Sequence, residues 1–222
     1  EAVFEARCKA VGARLHKADF DSIRLESHGL SGQVFSCGRF QHLKLPLLGE
    51  HQLHNAAVVL AAVDALKSRG WNLTDEAVRT GLETVQWPGR FQLMREKPLF
   101  IVDGGHNPQC AQALAASLRG LYGEKKLIFL IGVLADKDWQ SMVGEVLPLA
   151  KAIVTVRPES ERAKDENELA AWVRAQGVPA QAHASIGEAL DAALALAGPE
   201  DAVCAWGSLY SVGELRHCLG LC

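Results

Sequence analysis

The chain has 222 residues, 49% hydrophobic and 22% charged, a mixture that supports a sizeable core and argues against disorder. Its 23 Lys and Arg against 26 Asp and Glu leave a net charge of −3, without the clustered positive excess that a broad nucleic-acid or membrane surface needs. No apolar run approaches the ~20 residues of a membrane span, and the acidic start Glu1-Ala2-Val3-Phe4-Glu5 lacks the basic and apolar regions of a signal peptide, so a cytoplasmic protein is expected.

From about residue 20 to 48 the chain is strand-like and turn-rich. Ile23-Arg24-Leu25, Gln33-Val34-Phe35 and Leu43-Lys44-Leu45 alternate around turn residues, which predicts a small antiparallel meander. Residues 51–69 read as one helix, with Gly70 as its stop after Lys67 and Arg69. Thr74 is a good N-cap for a second helix ending near Leu82, since Asp75 and Glu76 suit the positive end of its dipole. Val85-Gln86-Trp87-Pro88-Gly89-Arg90 then breaks the pattern and divides two units.

After Arg90 strands and helices alternate. Leu99–Val102, Leu127–Ile131, Ala152–Val156 and Ala202–Trp206 are apolar strand runs, with a weaker strand near Ala180-Gln181-Ala182. Helices fall between them: from an Asn107 cap with Pro108 at its first position, from Asp138, and from the capping-box spacings Asp165/Glu168 and Ser185/Glu188. A short helix follows Gly207-Ser208. Continuous apolar strands separated by helices define an α/β fold, a mostly parallel sheet with helices on both faces.

In such sheets ligands sit at the carboxyl ends of the strands. Four segments there are polar or Gly-rich: Asp103-Gly104-Gly105-His106-Asn107-Pro108, Gly132 to Asp138, Arg157 to Arg162, and Gly207-Ser208. Two readings of the first stand side by side. Asp103, ending a buried strand, must meet a cation or hydrogen-bond donors, and His106 can serve as donor, base or anion ligand. Alternatively, Asp103 accepts local backbone N–H groups and Asn107 simply caps the helix. Arg90, at the boundary between units, is placed either to clamp a phosphate or to form a surface salt bridge. His51, Gln52 and Asn55 share a helix face that suits a purine edge or a solvated cap.

The absent motifs narrow the chemistry. No GxxxxGK[ST] loop occurs and no Gly-Lys pair exists, no GxGxxG follows a strand, and Ser208 has no GxSxG context. Cysteines at 8, 37, 110, 204, 218 and 222 form no CxxC pair. The Cys218/Cys222 spacing lacks a second ligand pair, so reduced structural thiols are the expectation rather than a zinc site.

Taken together, Gly49-Glu50-His51-Gln52-Leu53-His54-Asn55-Ala56-Ala57, Trp87-Pro88-Gly89-Arg90, Asp103-Gly104-Gly105-His106-Asn107-Pro108, Asp136-Lys137-Asp138 and Gly207-Ser208-Leu209-Tyr210 resemble folylpolyglutamate synthase, often bifunctional with dihydrofolate synthase, of the Mur ligase superfamily. The resemblance runs from about residue 45 to 215. It implies that residues 1–86 are the tail of a central ATP-binding domain and that residues 87–222 are the Rossmann-like glutamate-ligase domain. The phosphate loop, the magnesium ligands and most of the folate pocket would then lie in an N-terminal half outside this chain, leaving the chain alone inactive.

The implied reaction is ATP-dependent amide formation through an acyl phosphate, joining L-glutamate to dihydropteroate or to a folate polyglutamate tail, with Mg2+ as cofactor and a monomer as the complete form. Carried over by resemblance, Arg90 contacts the ATP phosphates and Asp103 the nucleotide side. His51, Gln52 and Asn55 face adenine, while His106, Asn107 and Ser208 hold glutamate, Arg90 and His106 being catalytic. The departure is Gly105, where Ala is more usual before the His, which should loosen the turn slightly. Two other classes stay in view: a non-catalytic nucleotide- or folate-binding remnant, which the missing phosphate loop suggests, and a nicotinamide oxidoreductase, which the missing GxGxxG opposes. Another Mur-type amino-acid ligase is the nearest variant of the first reading.

Overall fold

A computed structural model describes residues 1–220, so Cys222 lies outside the described residues. The chain divides into two compact units, Glu1–Gln86 and Trp87–Cys222. In the first, α1 (Ala2–Val11) precedes strands β1 (Arg24–Gly29), β2 (Gly32–Cys37) and β3 (Phe40–Leu45), which pair antiparallel in that order. Helices α2 (Glu50–Lys67) and α3 (Asp75–Thr84) follow. Phe35, Leu43, Leu53, Leu60 and Leu82 bury into one core between meander and helices. The Thr74 hydroxyl receives the Ala77 N–H, as the cap requires.

The meander and both helices match the sequence expectation, apart from one difference in register. His28-Gly29 lies inside β1 rather than at the turn, because Gly29 pairs with Gly32 and moves the bend to Leu30-Ser31. Helix α1 was not anticipated: none of its residues is buried, so no apolar stripe marks it.

The second unit is a six-stranded sheet, ordered β4-β5-β9-β6-β7-β8. Its members are β4 (Gln92–Glu96), β5 (Leu99–Asp103), β6 (Leu127–Ile131), β7 (Ala150–Val156), β8 (Ala180–His183) and β9 (Ala202–Trp206). All neighbours pair parallel except β4, which is antiparallel to β5. Intervening helices are α4 (Pro108–Tyr122), α5 (Trp139–Val146), α6 (Glu166–Ala175), α7 (Ile186–Leu196) and α8 (Leu209–Cys218).

Phe100, Val102, Ile128, Leu130, Val154, Val203 and Ala205 form a core with Ile186 and Leu190 of α7 and Val212 and Leu215 of α8. The alternate residues Ile101, Phe129, Ile131, Ile153 and Cys204 face the other side and are equally buried. The inner faces of α4, α5 and α6 are buried in turn, so this is the doubly covered sheet that continuous apolar strands require. Among the described residues no helix is long and apolar enough to cross a membrane.

Candidate functional site

The site of the second unit is built on a single carboxylate. Asp103 ends β5 at 7% exposure. Its Oδ2 accepts the Phe91 N–H at 2.8 Å and its Oδ1 accepts the Gly105 N–H at 2.7 Å. The Gly104 N–H donates to the Gly89 carbonyl at 2.7 Å. The residue after Arg90 and the residue before His106 therefore hang from one side chain. Phe91 is held at φ 43°, sparsely populated for a non-glycine, and is almost fully buried.

Gly104 is where three segments meet. A Cβ there would lie 2.1 Å from Leu209 Cδ2 and 3.0 Å from Arg90 Nη1. Arg90 is half-buried, and its guanidinium makes no hydrogen bond or ion pair among the described residues. The bland alternative, a surface salt bridge, is thus not what the structure contains. A partly desolvated guanidinium with no ion pair among the described residues is chemically suited to a phosphate or carboxylate.

His106 Nδ1 lies 3.0 Å from the Gly104 carbonyl. Donation to that oxygen fixes the proton on Nδ1 and leaves Nε2 as an acceptor. Ser208 is buried, and its Oγ accepts the Tyr210 N–H at 3.2 Å to cap α8, with its own hydroxyl proton still available. Asn107 Oδ1 receives the Cys110 N–H at 2.8 Å, capping α4 as its position before Pro108 predicts. Asp103 and Asn107 thus both accept nearby backbone N–H groups. A Cβ on Gly105 would come within 2.7 Å of Asp103 Oδ1 and 2.9 Å of Cys110 Cβ. Glycine at 105 accordingly belongs to a tight turn rather than a loosened one.

His106, Leu134, Lys137, Arg162, Ser208, Leu209 and Tyr210 line one cleft of about 360 Å3, a volume within the small-molecule range. All four strand-end segments contribute to it. Sequence reasoning placed these loops together, and Lys137 and Tyr210 lie in segments that carry the resemblance, but it gave no role to Lys137, Arg162 or Tyr210. The loops after β6 and β7 are joined through the Leu134–Ala163 bridge, with Ala135 N–H donating to the Arg162 carbonyl (2.8 Å) and Lys164 N–H to that of Val133 (2.9 Å).

On the first unit, His51, Gln52 and Asn55 form a chain of contacts. Gln52 Nε2 lies 3.1 Å from His51 Nε2, and Asn55 Nδ2 donates to Gln52 Oε1 at 2.9 Å. Gln52 and Asn55 stand at the side of a mainly apolar groove of about 380 Å3 between α2 and α3, lined also by Val59, Leu73 and Leu82.

Behind the cleft, burial pushes the Cys204 thiol well above its ordinary range, with the nearby Asp103 carboxylate adding to the effect. Burial likewise raises Tyr122 to about 12. Cys8, Cys37, Cys110, Cys204 and Cys218 are free thiols. Among the described residues no group of three or more His, Cys, Asp or Glu side chains is arranged to hold a metal ion.

A mostly parallel sheet with helices on both faces and a guanidinium, an imidazole and a buried hydroxyl at its strand ends defines a doubly wound α/β protein with a candidate ligand cleft. The family profile described as Mur ligase, glutamate ligase domain, matches residues 89–209, and the chain belongs to that family. It is 34% identical over 176 residues to a probable bifunctional folylpolyglutamate synthase/dihydropteroate synthase of Haloferax volcanii, covering 78% of this chain and 20% of that protein. A dihydrofolate synthase/folylpolyglutamate synthase of Mycobacterium tuberculosis is 37% identical over 147 residues, 64% of this chain and 30% of that protein. Among solved structures, Mycobacterium tuberculosis folylpolyglutamate synthase complexed with ADP and AMPPCP superposes with a TM-score of 0.87 at 29% identity, covering 99% of this chain and 52% of that one. The chain thus spans about half or less of the proteins it matches.

Proposed function

We propose that this chain is the C-terminal part of an ATP-dependent ligase that joins L-glutamate to a folate, either dihydropteroate or a polyglutamate tail, and releases ADP. The observation that carries this reading is the uncountered Arg90 guanidinium, tied through Asp103 to the same turn that presents His106. The names of the relatives support the substrate class.

In the proposed reaction a folate carboxylate takes the γ-phosphoryl group of ATP. The glutamate amine then attacks the acyl carbon, a C–N bond forms, the C–O bond to phosphate breaks, and the nitrogen sheds a proton. Arg90 supplies fixed positive charge to phosphate oxygens, where charge accumulates in the first step. His106 Nε2, held as an acceptor, receives a proton from the amine, and Ser208 orients the amino acid so that nitrogen and carbon meet. Asn107 and Asp103 act as positioning residues for this turn. On the first unit, His51, Gln52 and Asn55 are assigned to a purine edge, two amides and an imidazole being suited to its donor and acceptor pattern. The described residues hold no carboxylate cluster fitted to Mg2+.

The test is ADP release by the complete enzyme carrying this chain, with L-glutamate and a folate acceptor. Arg90→Ala removes a charge-assisted contact worth about 1.5–3 kcal/mol and is expected to slow turnover more than it weakens folate binding. Unchanged turnover removes Arg90 from the site. Ser208→Ala is expected to raise the glutamate KM, and a normal KM returns Ser208 to capping alone.

A further inference from the structure

The backbone on the N-terminal side of Arg90 is held by a side chain with no role so far. The Gly89 N–H donates to Gln92 Oε1 at 3.0 Å, and the same oxygen accepts Arg216 Nη1 at 3.2 Å. The Gly89 carbonyl is taken by the Gly104 N–H, and the Phe91 N–H by Asp103. The residues on either side of Arg90 are therefore tied at three points. Gly89 stands at φ 75°, in a turn that follows Trp87 outside any helix or strand, so these ties are what fix it.

Helix α8 meets this turn along one face. A Cβ at Gly104 would strike Leu209, one at Gly89 would lie 2.9 Å from Val212 Cγ1, and Arg216 reaches Gln92. Positions 209, 212 and 216 follow the i, i+3, i+7 spacing of a single helical stripe. The same helix is capped by Ser208, so one rod carries that hydroxyl at its start and braces the Arg90 turn along its length. The Gln92 oxygen has two lone pairs, and both are used. One of its donors is a cation, so that bond is charge-assisted and polarises the amide as an acceptor for Gly89.

We infer that Gln92 and Arg216 are positioning residues for Arg90, the Gln92 amide relaying the register of α8 to the turn that carries the guanidinium. The inference rests on the ligase reading for what Arg90 binds. Loss of either side chain frees the Gly89 N–H and lets the guanidinium shift. Its hold then weakens on charge that builds as the phosphoryl group moves, so turnover suffers while affinity for the other substrates does not.

The first measurement is amide hydrogen exchange at Gly89 in the 222-residue chain. Gln92→Met keeps the bulk and removes the acceptor, and is expected to speed exchange about three- to tenfold, the worth of one hydrogen bond. Arg216→Met takes nothing from Gly89 directly, yet should also speed its exchange, and the double variant should exchange no faster than Gln92→Met alone. Gln92→Glu keeps an oxygen for both donors and should retain the slow exchange. Amide spectra away from β4 and α8 check that each variant is folded. Should Arg216→Met fail to fold, Arg216→Lys takes its place with a smaller effect.

In the complete enzyme Gln92→Met should lower kcat for ADP release by a similar factor, with the glutamate and folate KM unchanged, and Gln92→Glu should restore it. Unchanged Gly89 exchange in Gln92→Met, additive effects of the two substitutions, or a parental kcat in Gln92→Met overturns the inference. A parent enzyme that releases no ADP removes the ligase reading instead, and the exchange measurements then decide the relay by themselves.

Discussion

Asp103 illustrates how much of a site can depend on one buried carboxylate. Its two oxygens serve two N–H groups on separate segments, so an uncharged isostere cannot replace it. Asp103→Asn offers one carbonyl oxygen and turns an NH2 toward the second N–H, leaving a buried amide unsatisfied at about 1–3 kcal/mol. The expected result is a lower urea midpoint with an unchanged slope, together with impaired turnover in the complete enzyme. Cys204, beneath this turn, gives an independent report on the packing. Its thiol is completely buried and disfavoured from ionising, so in native buffer at pH 8 iodoacetamide should modify the exposed Cys218 and spare Cys204. Mass spectrometry of the alkylated peptides checks this, and early labelling of Cys204 would mean that the sheet opens locally.

At the scale of elements, strand ends are brought together by residues that lack side chains. Gly207 sits at φ 110°, and a Cβ there would lie 2.6 Å from the Gly132 carbonyl, while Gly132 itself packs against Pro158. Gly207→Ala is therefore expected to destabilise the chain, by more than the ~0.4–1 kcal/mol that the same replacement gains where the backbone permits it, read as a fall in melting temperature. Strands β5, β6 and β9 were legible because runs such as Leu127-Ile128-Phe129-Leu130-Ile131 are apolar on both faces, the mark of a sheet covered twice. Strand β4 was not: Gln92-Leu93-Met94-Arg95-Glu96 has no alternation, and the ladder of β5 imposes its extended form through an irregular register at Leu93/Arg95. The site divides the same way. Loop positions follow from strand order, and Asn107 and Ser208 betray themselves as caps. The convergence of Lys137 with Arg162 depends on a bridge between Leu134 and Ala163, a pairing too distant in the chain for local sequence to encode.

For the molecule as a whole, each unit has its own core. Residues 87–222, with all six strands of one sheet, are expected to fold alone, giving a cooperative melt by circular dichroism; a broad, non-cooperative melt would contradict this. The acid response of that unit includes Asp201, which Lys151 (2.7 Å) and the Gly198 N–H (2.9 Å) hold below the ordinary carboxylate range. A lowered folded value means that its contribution is complete above the ordinary aspartate value, about 3.9, and fades as the pH falls through the folded one. The stability gap between the parent chain and Asp201→Asn should accordingly narrow between pH 6 and pH 3 in urea titrations.

The strand order has a consequence for how the molecule is made. β9 lies between β5 and β6, yet about 70 residues separate it from β6 in sequence. During synthesis β4–β5 and β6–β8 emerge from the ribosome as two partial sheets with nothing to join them, and each exposes a raw apolar edge until residues 202–206 arrive. Ser208 comes out with that last strand. An unfinished polypeptide thus displays neither a closed sheet nor the strand-end cleft, and the interval before β9 docks is when a chaperone would have most to hold.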